Sequence, residues 1–350
     1  MTDIRVAVNG YGVIGKRVAD AVTAQPDMTL AGVADLATDW RSRTAVVNGI
    51  PVYASTAEAA GPMREAGIPI AGDLDDLLGQ VDAVLDCTPK KIGAGNLDRY
   101  RAAGVKAILQ GGEPNEATGH SFVAQANYRT ALGRESTRVV SCNTTSTVRV
   151  LGALQDIGLL AAARGVLIRR ATDPWESHLG GVMNTVVPEP KIPSHQGPDA
   201  RTVRPELDVV TIAAKAAHNQ SHNHYWTLRL TRPVSQAEII DTLSAAPRIA
   251  LIRMSDGVVA LNSTTELMKE LHRPRGDMWE VAIWEDVLAV DGDEAYLTCQ
   301  VDNEAIVVPE SIDAIRALTG AVSDAAESIA ITDAALGMRR DFLSRTVPVH

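Results

Sequence analysis

The sequence predicts an α/β protein of two domains, and three observations carry this prediction. A β-branched run at residues 4–8 leads through a glycine-rich turn into a helical pattern. Strand and helix patterns then alternate up to about residue 145, which is typical of a parallel sheet with crossover helices. After about residue 150 the strands are longer and the helices fewer, as in a mixed or antiparallel sheet. We expect a Rossmann dinucleotide-binding domain at 1–141, completed by a C-terminal helix at about 309–350, and an α/β catalytic domain at 142–308.

The first turn has the spacing of a dinucleotide-binding loop. Gly10, Gly12 and Gly15 follow the first strand as G-x-G-x-x-G, with Val13 and Ile14 inside the motif. In such loops the first glycine permits a tight turn, the second lets backbone N–H groups approach a pyrophosphate, and the third allows close helix packing. The helix N-terminus adds partial positive charge. These five residues are therefore predicted to bind a dinucleotide.

An acidic residue ends the second predicted strand, "MTLAGVADL". Asp35 lies about 20 residues after the glycines, where a carboxylate binds the ribose 2′-hydroxyl of NAD in this fold. A solvated loop aspartate is the alternative interpretation. If Asp35 binds the ribose, its charge repels a 2′-phosphate, so the predicted cofactor is NAD, with NADP disfavoured.

Small and polar residues end the later strands of the first domain. Thr88 follows one strand, Gly111 and Gly112 follow the next, and Cys142 follows the last. Ligands of open parallel sheets bind at the carboxyl ends of strands, so these ends should line one crevice. Thr88, Gly111 and Gly112 are predicted cofactor contacts, whereas Cys87 is structural or cofactor-lining.

Composition excludes several classes of partner. The 350 residues carry a net charge of −10, which argues against nucleic acid as a partner. The N-terminus shows no signal-peptide pattern, and no apolar run is long enough to span a membrane, so we expect no membrane partner. Three cysteines are an odd number, which favours free thiols in a reducing cytoplasm.

One of these cysteines lies in an unusual setting. Cys142 stands in the polar stretch "SCNTTS" between two apolar runs, although free cysteine usually behaves as a small buried hydrophobe. A nucleophile at a helix start explains it better, because a helix beginning near Asn143 would lower the thiol pKa and offer N–H donors to an oxyanion. Ser141 and Asn143 are the expected oxyanion and substrate contacts.

Seven collinear stretches, which together run over nearly the whole chain, resemble the archaeal-type (type II) phosphorylating glyceraldehyde-3-phosphate dehydrogenases. They are "VNGYGVIGKRVADAV", "DCTPKKIGAGN", "LQGGE", "RVVSCNTTS", "IRRATDP", "PSHQGPD" and "NEAIVVPESIDAIRAL". The resemblance implies a C-terminal helix that returns to the first domain, commonly a homotetramer, and Cys142 as the nucleophile. The implied reaction oxidises an aldehyde through a cysteine thioester that inorganic phosphate cleaves to an acyl phosphate.

The resemblance also assigns the remaining site residues. The family's His-x-His pair falls on His222 and His224, with His222 as the catalytic base. Three histidines within seven positions, His218 being the first, also leave a metal site conceivable, but no nearby carboxylate or cysteine supports one, so none is predicted. The remaining implied contacts are Thr144, Arg169, Arg170, His195 and Gln196 for the substrate or phosphate, and Asn303 for the nicotinamide amide.

The chain departs from the family pattern in several places that we expect on the substrate side. Leu179-Gly180-Gly181 replaces Lys-Gly-Pro, Gln196 replaces a histidine, Ala217-His218-Asn219 replaces Pro-Thr-Thr, and Ser146 replaces a glycine. Asn303 also stands for a glutamine. Three hypotheses remain. The chain is an NAD-linked glyceraldehyde-3-phosphate dehydrogenase, a dehydrogenase of another aldehyde, phosphorylated or not, whose thioester is resolved by phosphate or by water, or a non-catalytic NAD-binding sensor.

Overall fold

The structure is a computed structural model that describes residues 3–110, 112–175 and 185–343. The chain divides into two compact units. One is formed by residues up to Ser141 together with Val307–Gly337, and the other by Cys142–Ile306 with the residues from Met338 onwards.

The first unit contains a parallel sheet of eight strands in the order β4-β3-β2-β1-β5-β6-β8-β7. The strands are β1 (Ile4–Asn9), β2 (Met28–Asp35), β3 (Val52–Ala54), β4 (Ile70–Asp73), β5 (Ala83–Asp86), β6 (Lys106–Leu109), β7 (Ser121–Phe122) and β8 (Ser136–Val139). The direction of strand order reverses on either side of β1, which places a ligand crevice at the carboxyl ends of β1 and β5. The predicted Rossmann domain is confirmed.

Helices cover both faces of this sheet. Those before residue 141 are α1 (Val13–Ala24), α2 (Trp40–Val47), α3 (Ala57–Glu65), α4 (Leu74–Leu78), α5 (Ile92–Ala102), α6 (Asn115–Thr118) and α7 (Ala124–Ala131). On one face Leu77 of α4 and Tyr100 of α5 pack with Val84 and Leu109 of the central strands. Because both faces are covered, the central strands are apolar along their length rather than alternating.

The second unit contains a mixed sheet, as the sequence predicts. Its strands are β9 (Leu160–Arg170), β10 (Val186–Pro188), β11 (Val209–Ala216), β12 (His222–Leu230), β13 (Ile249–Ile252), β14 (Val281–Trp284), β15 (Ala289–Asp291) and β16 (Glu294–Val301). They are ordered β10-β11-β9-β12-β16-β14-β13, with β15 paired to β16. Among the described strand pairs of this second sheet, β9–β11 and β13–β14 are parallel and the others are antiparallel. Its helices are α8 (Cys142–Asp156), α9 (Gln196–Ala200), α10 (Gln236–Ala245) and α11 (Leu261–Glu270).

The C-terminal segment differs from the single helix expected at 309–350. It forms α12 (Val308–Thr319) and α13 (Ala325–Leu336), which end at Gly320 and Gly337 with φ of +71° and +64°. Glycine adopts this left-handed conformation without the strain of a side chain and so stops a helix. Residues 338–343 belong to the second unit, where Phe342 is buried in an apolar cluster.

The return of α12 to the first unit depends on a buried cation. Arg316 is fully buried, and its guanidinium binds both carboxylate oxygens of Asp27, at 2.6 and 2.8 Å. The same side chain donates to Gln25 and to Thr332 of α13. A buried charge is tolerated only when it is paired and hydrogen-bonded in this way.

Candidate active site

The glycine loop of the first unit is shaped for a phosphate-bearing ligand. Gly10 has φ of +92°, and a Cβ there would lie 2.8 Å from the carbonyl carbon of Cys87. A Cβ on Gly15 would lie 1.9 Å from the Gly10 oxygen. Gly12, by contrast, faces open space and is the N-cap of α1 without a capping side chain. The first N–H groups of α1, at Val13 and Ile14, are therefore placed to meet pyrophosphate oxygens.

Asp35 connects this loop to the end of β2. Its carboxylate accepts hydrogen bonds from the backbone N–H groups of Tyr11 at 2.6 Å, Leu36 at 2.7 Å and Ala37 at 2.8 Å. A carboxylate offers about four lone-pair sites, so one remains for a further donor such as a ribose hydroxyl. Three backbone donors therefore hold the Asp35 carboxylate in place beside the glycine loop.

The other predicted cofactor contacts follow β5 and β6. The N–H of Thr88 donates to Asp86 at 3.0 Å, and its hydroxyl donates to the same oxygen. Gly112 lies close to Lys90, because a Cβ added at Gly112 would be 3.4 Å from the Cβ of Lys90. Gly111 lies outside the described residues.

In the second unit Cys142 and His222 are in contact. Cys142 is the first residue of α8, which has 15 residues, and His222 is the first residue of β12. The Cys142 Sγ lies 3.4 Å from His222 Nε2. Sulfur and imidazole are 80 positions apart in sequence and meet because α8 packs on the face of the sheet that contains β12. Such a pair can perform nucleophilic chemistry.

The other nitrogen of the His222 ring determines which tautomer is present. The backbone N–H of Arg170 donates to His222 Nδ1 at 3.1 Å. A backbone N–H can only donate, so Nδ1 is unprotonated and the neutral ring carries its proton on Nε2. The Nε2–H group therefore points at the sulfur of Cys142 as a hydrogen-bond donor.

Asn143 is held between this pair and His224. Its Oδ1 lies 2.8 Å from His224 Nε2, so His224 donates there and Asn143 presents its Nδ2–H group to Cys142 Sγ at 3.8 Å. Burial and the charge of Arg169 lower the pKa of His224 to about 3, which keeps this imidazole neutral. Its role is thus to orient Asn143. No group of three or more His, Cys, Asp or Glu side chains among the described residues is arranged to hold a metal ion.

Burial dominates the titration of the reactive pair. It raises the pKa of Cys142, against the opposing effects of Arg170, the Asn143 N–H and Arg169. It also lowers the pKa of His222 well below the usual range, helped by His224, Arg170, Arg169 and His218. Both groups are therefore neutral near pH 7 in the protein without ligands.

This electrostatic environment predicts the pH dependence of alkylation. The thiolate is the form that reacts with iodoacetamide, and Cys142 is opposed in its ionisation by burial and Asp302 but assisted by Arg169 and Arg170. His222 faces the sulfur as a neutral donor. We expect the alkylation rate of the ligand-free protein to rise with pH, with a midpoint above that of a free cysteine.

The matched variants are Arg170→Gln and Arg164→Gln. Arg170→Gln removes an assisting charge and should move the midpoint further upward. Arg164 lies on the same strand, paired with Asp208 at 3.0 Å, and its replacement should leave the midpoint unchanged. A midpoint below neutral pH in the unmodified protein would contradict the prediction.

The predicted anion ligands are each held by a carboxylate. Arg169 Nη1 lies 2.9 Å from Glu189, and Arg170 Nη2 lies 2.6 Å from Asp173. His195 Nδ1 lies 3.0 Å from the second oxygen of Glu189. The two arginines thus have different partners, as expected for neighbours on a strand.

Other predicted substrate contacts are more enclosed. The hydroxyl of Thr144 donates to Asp199 at 2.8 Å. Gln196 is fully buried, and both its amide atoms lack a hydrogen-bond partner within the described part of the chain. Ser141 is the last residue of the first unit and immediately precedes Cys142.

Asn303 has partners within the second unit. Its Oδ1 accepts the backbone N–H of Ser221 at 2.9 Å, and its Nδ2 donates to Asp173 at 3.3 Å. Asn303 thereby connects the turn before His222 to the carboxylate that holds Arg170. No pattern in the sequence indicates this link, because the resemblance implies only a cofactor contact for Asn303.

The departures from the family pattern occupy different environments. Ser146 is fully buried, with its hydroxyl 3.9 Å from the sulfur of Cys299 on β16, so our expectation that it faces the substrate is wrong. His218 is half-buried, and its Nε2 lies 3.2 Å from the carbonyl oxygen of Ser221. Leu179-Gly180-Gly181 lies outside the described residues.

Comparison with known proteins agrees with this arrangement. The family model of the glyceraldehyde 3-phosphate dehydrogenase C-terminal domain matches residues 141–286, and that of the dihydrodipicolinate reductase N-terminus matches residues 4–117. A glyceraldehyde-3-phosphate dehydrogenase of Methanobrevibacter smithii is 46% identical over 95% of this chain and 99% of its own length. The chain belongs to the glyceraldehyde-3-phosphate dehydrogenase family. Relatives of the same name from Methanothermobacter thermautotrophicus and Aeropyrum pernix are 43% and 42% identical over 96% and 97% of the chain.

Family membership gives the two units their general chemistry. The glyceraldehyde-3-phosphate dehydrogenases are oxidoreductases, and the match over residues 4–117 includes the glycine loop and Asp35. The chain is thus an oxidoreductase that uses a nicotinamide dinucleotide. In the part of the chain that the structure describes, no helix is both long and apolar enough to cross a membrane.

Proposed function

We propose that this chain oxidises D-glyceraldehyde 3-phosphate with NAD and inorganic phosphate to 1,3-bisphosphoglycerate and NADH. The supporting observation is the 3.4 Å contact between Cys142 Sγ and His222 Nε2 at the start of α8. Relatives that cover nearly the whole chain bear the name of this activity. The proposal includes a homotetramer in the cytoplasm, where a reducing environment keeps the nucleophile free.

The proposed reaction begins at the sulfur of Cys142. The thiol of Cys142 releases its proton to solvent, and the thiolate, favoured by Arg169 and Arg170, adds to the aldehyde carbon to form a hemithioacetal whose oxygen carries the negative charge. The Nε2–H of His222 and the amide of Asn143 donate to this oxygen. We thus revise the role predicted for His222 from base to hydrogen-bond donor, because its Nδ1 is occupied by the Arg170 N–H.

The thioester step follows without a further base. When bound, the nicotinamide dinucleotide supplies the hydride acceptor. Loss of hydride from the substrate carbon leaves a thioester on Cys142, and an oxygen of inorganic phosphate then attacks the thioester carbonyl. The C–S bond breaks, the acyl phosphate leaves, and the thiolate is restored, while hydrogen phosphate loses its proton to solvent.

NADH formation by the purified protein across a panel of aldehydes, with and without phosphate, tests this function. We expect turnover of glyceraldehyde 3-phosphate that requires phosphate. If glyceraldehyde 3-phosphate is turned over with neither NAD nor NADP, the proposal is contradicted. Absence of turnover of any aldehyde, with NAD still bound, would favour a non-catalytic sensor.

A second function keeps the same chemistry with another aldehyde, phosphorylated or not. The observation that favours it is the pairing of every predicted anion ligand with a carboxylate, namely Glu189, Asp173 and Asp199. In this alternative water resolves the thioester and the product is an acid. Phosphate-independent turnover of an aldehyde in the same panel would support it.

The proposed preference for NAD rests on Asp35. Asp39 caps α2 by accepting the Arg41 N–H at 3.0 Å, and the hydrogen bond from the Arg41 side chain lowers the pKa of Asp39. Because Arg41 pairs with Asp39 at 2.6 Å, the repulsion of a 2′-phosphate is assigned to Asp35 alone. We expect kcat/KM to favour NAD over NADP by about ten-fold or more, and Asp35→Asn to reduce this ratio.

The Asp35→Asn variant keeps an acceptor for the Tyr11 N–H while it removes the charge. Asp98→Asn, at an exposed ion pair with Arg101 on α5, is the matched control and should leave the ratio unchanged. Preference for NADP in the unmodified protein, or an unchanged ratio in Asp35→Asn, would count against this assignment.

A further inference from the structure

Glu189 lies at the centre of the predicted anion ligands. It follows β10 directly, and its backbone N–H donates to the Ala213 oxygen of β11 at 2.8 Å. One carboxylate oxygen binds Arg169 Nη1 at 2.9 Å, and the other binds His195 Nδ1 at 3.0 Å. The Glu189 side chain is 22% exposed and that of Arg169 is 24% exposed, so solvent only partly screens the pair. A single carboxylate thus engages two of the side chains predicted to bind phosphate.

The arginines nevertheless retain unused donors. The Nε atoms of Arg169 and Arg170 are buried and have no hydrogen-bond partner among the residues that the structure describes. Buried guanidinium N–H groups without an acceptor are costly, and an oxyanion would satisfy them. These donors lie on the same guanidinium groups whose Nη atoms bind Glu189 and Asp173.

The charge of Glu189 opposes that oxyanion. Burial raises the pKa of Glu189, but the bonds and charges of His195 and Arg169 outweigh this effect and lower the pKa, so the carboxylate is ionised near neutral pH. Glu189 then cancels the charge of Arg169, and Asp173 cancels that of Arg170. An incoming anion gains less from these arginines than it would from unpaired cations.

We propose that Glu189 is a specificity-determining residue that competes with phosphate oxygens for Arg169 and His195 and thereby sets the anion affinity of this site. A phosphate dianion, with its double charge and several acceptor oxygens, displaces the carboxylate, whereas a monoanion does not. The inference rests on the proposed function, which supplies two phosphate sources, inorganic phosphate and the phosphate ester of the substrate. Glu189 touches neither reacting atom and acts through Arg169 and His195.

Calorimetric titration of the purified full chain with inorganic phosphate, at constant ionic strength, tests the proposal. Glu189→Gln keeps the shape and an acceptor oxygen but removes the charge, so we expect phosphate to bind about five-fold more tightly. Arg169→Gln should weaken phosphate binding, because it removes a ligand of the anion and leaves the charge of Glu189 without its main partner. The control is Glu238→Gln on α10, which removes the carboxylate of an exposed ion pair with Arg232.

The outcomes separate this inference from the proposed function. The inference is overturned if Glu189→Gln binds phosphate as weakly as the unmodified chain or more weakly. It is also overturned if Glu238→Gln tightens binding equally, or if neither the unmodified chain nor Glu189→Gln binds phosphate. In turnover assays, a lower KM for inorganic phosphate or for the phosphorylated aldehyde in Glu189→Gln identifies the source. If turnover is intact but neither of these KM values falls in Glu189→Gln, the inference is also overturned. If no aldehyde is turned over, the proposed function fails, and the calorimetry alone decides on Glu189.

Discussion

Replacement of Cys142 by serine is expected to reduce kcat for aldehyde oxidation by about 10⁴-fold or more. Serine matches the size of cysteine and preserves the start of α8, so the fold should be kept. Its hydroxyl, however, is not ionised near neutral pH and forms an ester, which phosphate cleaves less readily than a thioester. The loss should appear in single-turnover NADH formation, with no acyl adduct visible by mass spectrometry.

A second buried cysteine provides the control for this experiment. Cys299 lies on β16 with its side chain fully buried, and burial raises its pKa to about 12, so it does not compete as a nucleophile. Cys299→Ala should keep kcat within about two-fold while it lowers the melting temperature slightly, through the small cavity it leaves. NADH formation by Cys142→Ser at the rate of the unmodified chain would refute the proposed mechanism.

The nucleophile could be predicted from the sequence because its signal is local. A cysteine among small polar residues, directly after a buried strand, is poorly explained as core, and the strand end places it at the ligand-binding edge. The glycine loop and Asp35 are local in the same way, since each belongs to one turn. The parallel and mixed sheets follow from how strand and helix patterns alternate.

The carboxylates around the anion ligands could not be predicted because their partners are distant in sequence. Glu189 lies 20 positions from Arg169, and Asp199 lies 55 positions from Thr144. In the sequence these acids are ordinary loop charges, which are usually solvated. Only the packing of β10 and β11 beside β9, and of α9 against α8, brings them to Arg169 and Thr144. The structure therefore adds three carboxylates to the set of anion ligands that the resemblance implied.

The neighbours that a residue inside a helix or loop contacts could not be predicted either. Ser146 lies one turn after Cys142 on α8, yet its hydroxyl faces Cys299 of the underlying sheet. Asn303 was assigned to the cofactor by resemblance, and the structure gives its amide two partners, Ser221 and Asp173. A residue's spacing gives its angular position on a helix but not which neighbour lies there.

The role of His222 gives the second large effect and a test that separates donor from base. Alanine at this position removes both functions and should lower kcat by about 10³-fold. In His222→Gln the side-chain amide reaches the region of the imidazole Nε2 and still donates a hydrogen bond, but it cannot accept a proton at neutral pH. We expect His222→Gln to retain about ten-fold more activity than His222→Ala, measured as kcat at saturating substrate.

Asparagine supplies the matched control, because its shorter amide reaches only the region of Nδ1, where Arg170 donates. His222→Asn should therefore resemble His222→Ala, even though it is polar and close to histidine in shape. If His222 were a base, glutamine and alanine would be equally poor, since neither accepts a proton. Equal activities of these two variants would thus contradict the tautomer assigned from the Arg170 N–H.

The pH profile is expected to report the ionisation of Cys142 rather than that of His222. Burial, His224, both arginines and His218 hold the pKa of His222 well below its usual range. An imidazole with such a pKa is neutral throughout the neutral pH range, whether it acts as a base or as a hydrogen-bond donor. It should therefore cause no inflection in kcat near pH 6.5. The remaining inflection should belong to Cys142, whose raised pKa makes kcat/KM rise with pH. That inflection should persist in His222→Gln, because glutamine leaves Arg169 and Arg170, the charges that assist ionisation of the thiol, in place.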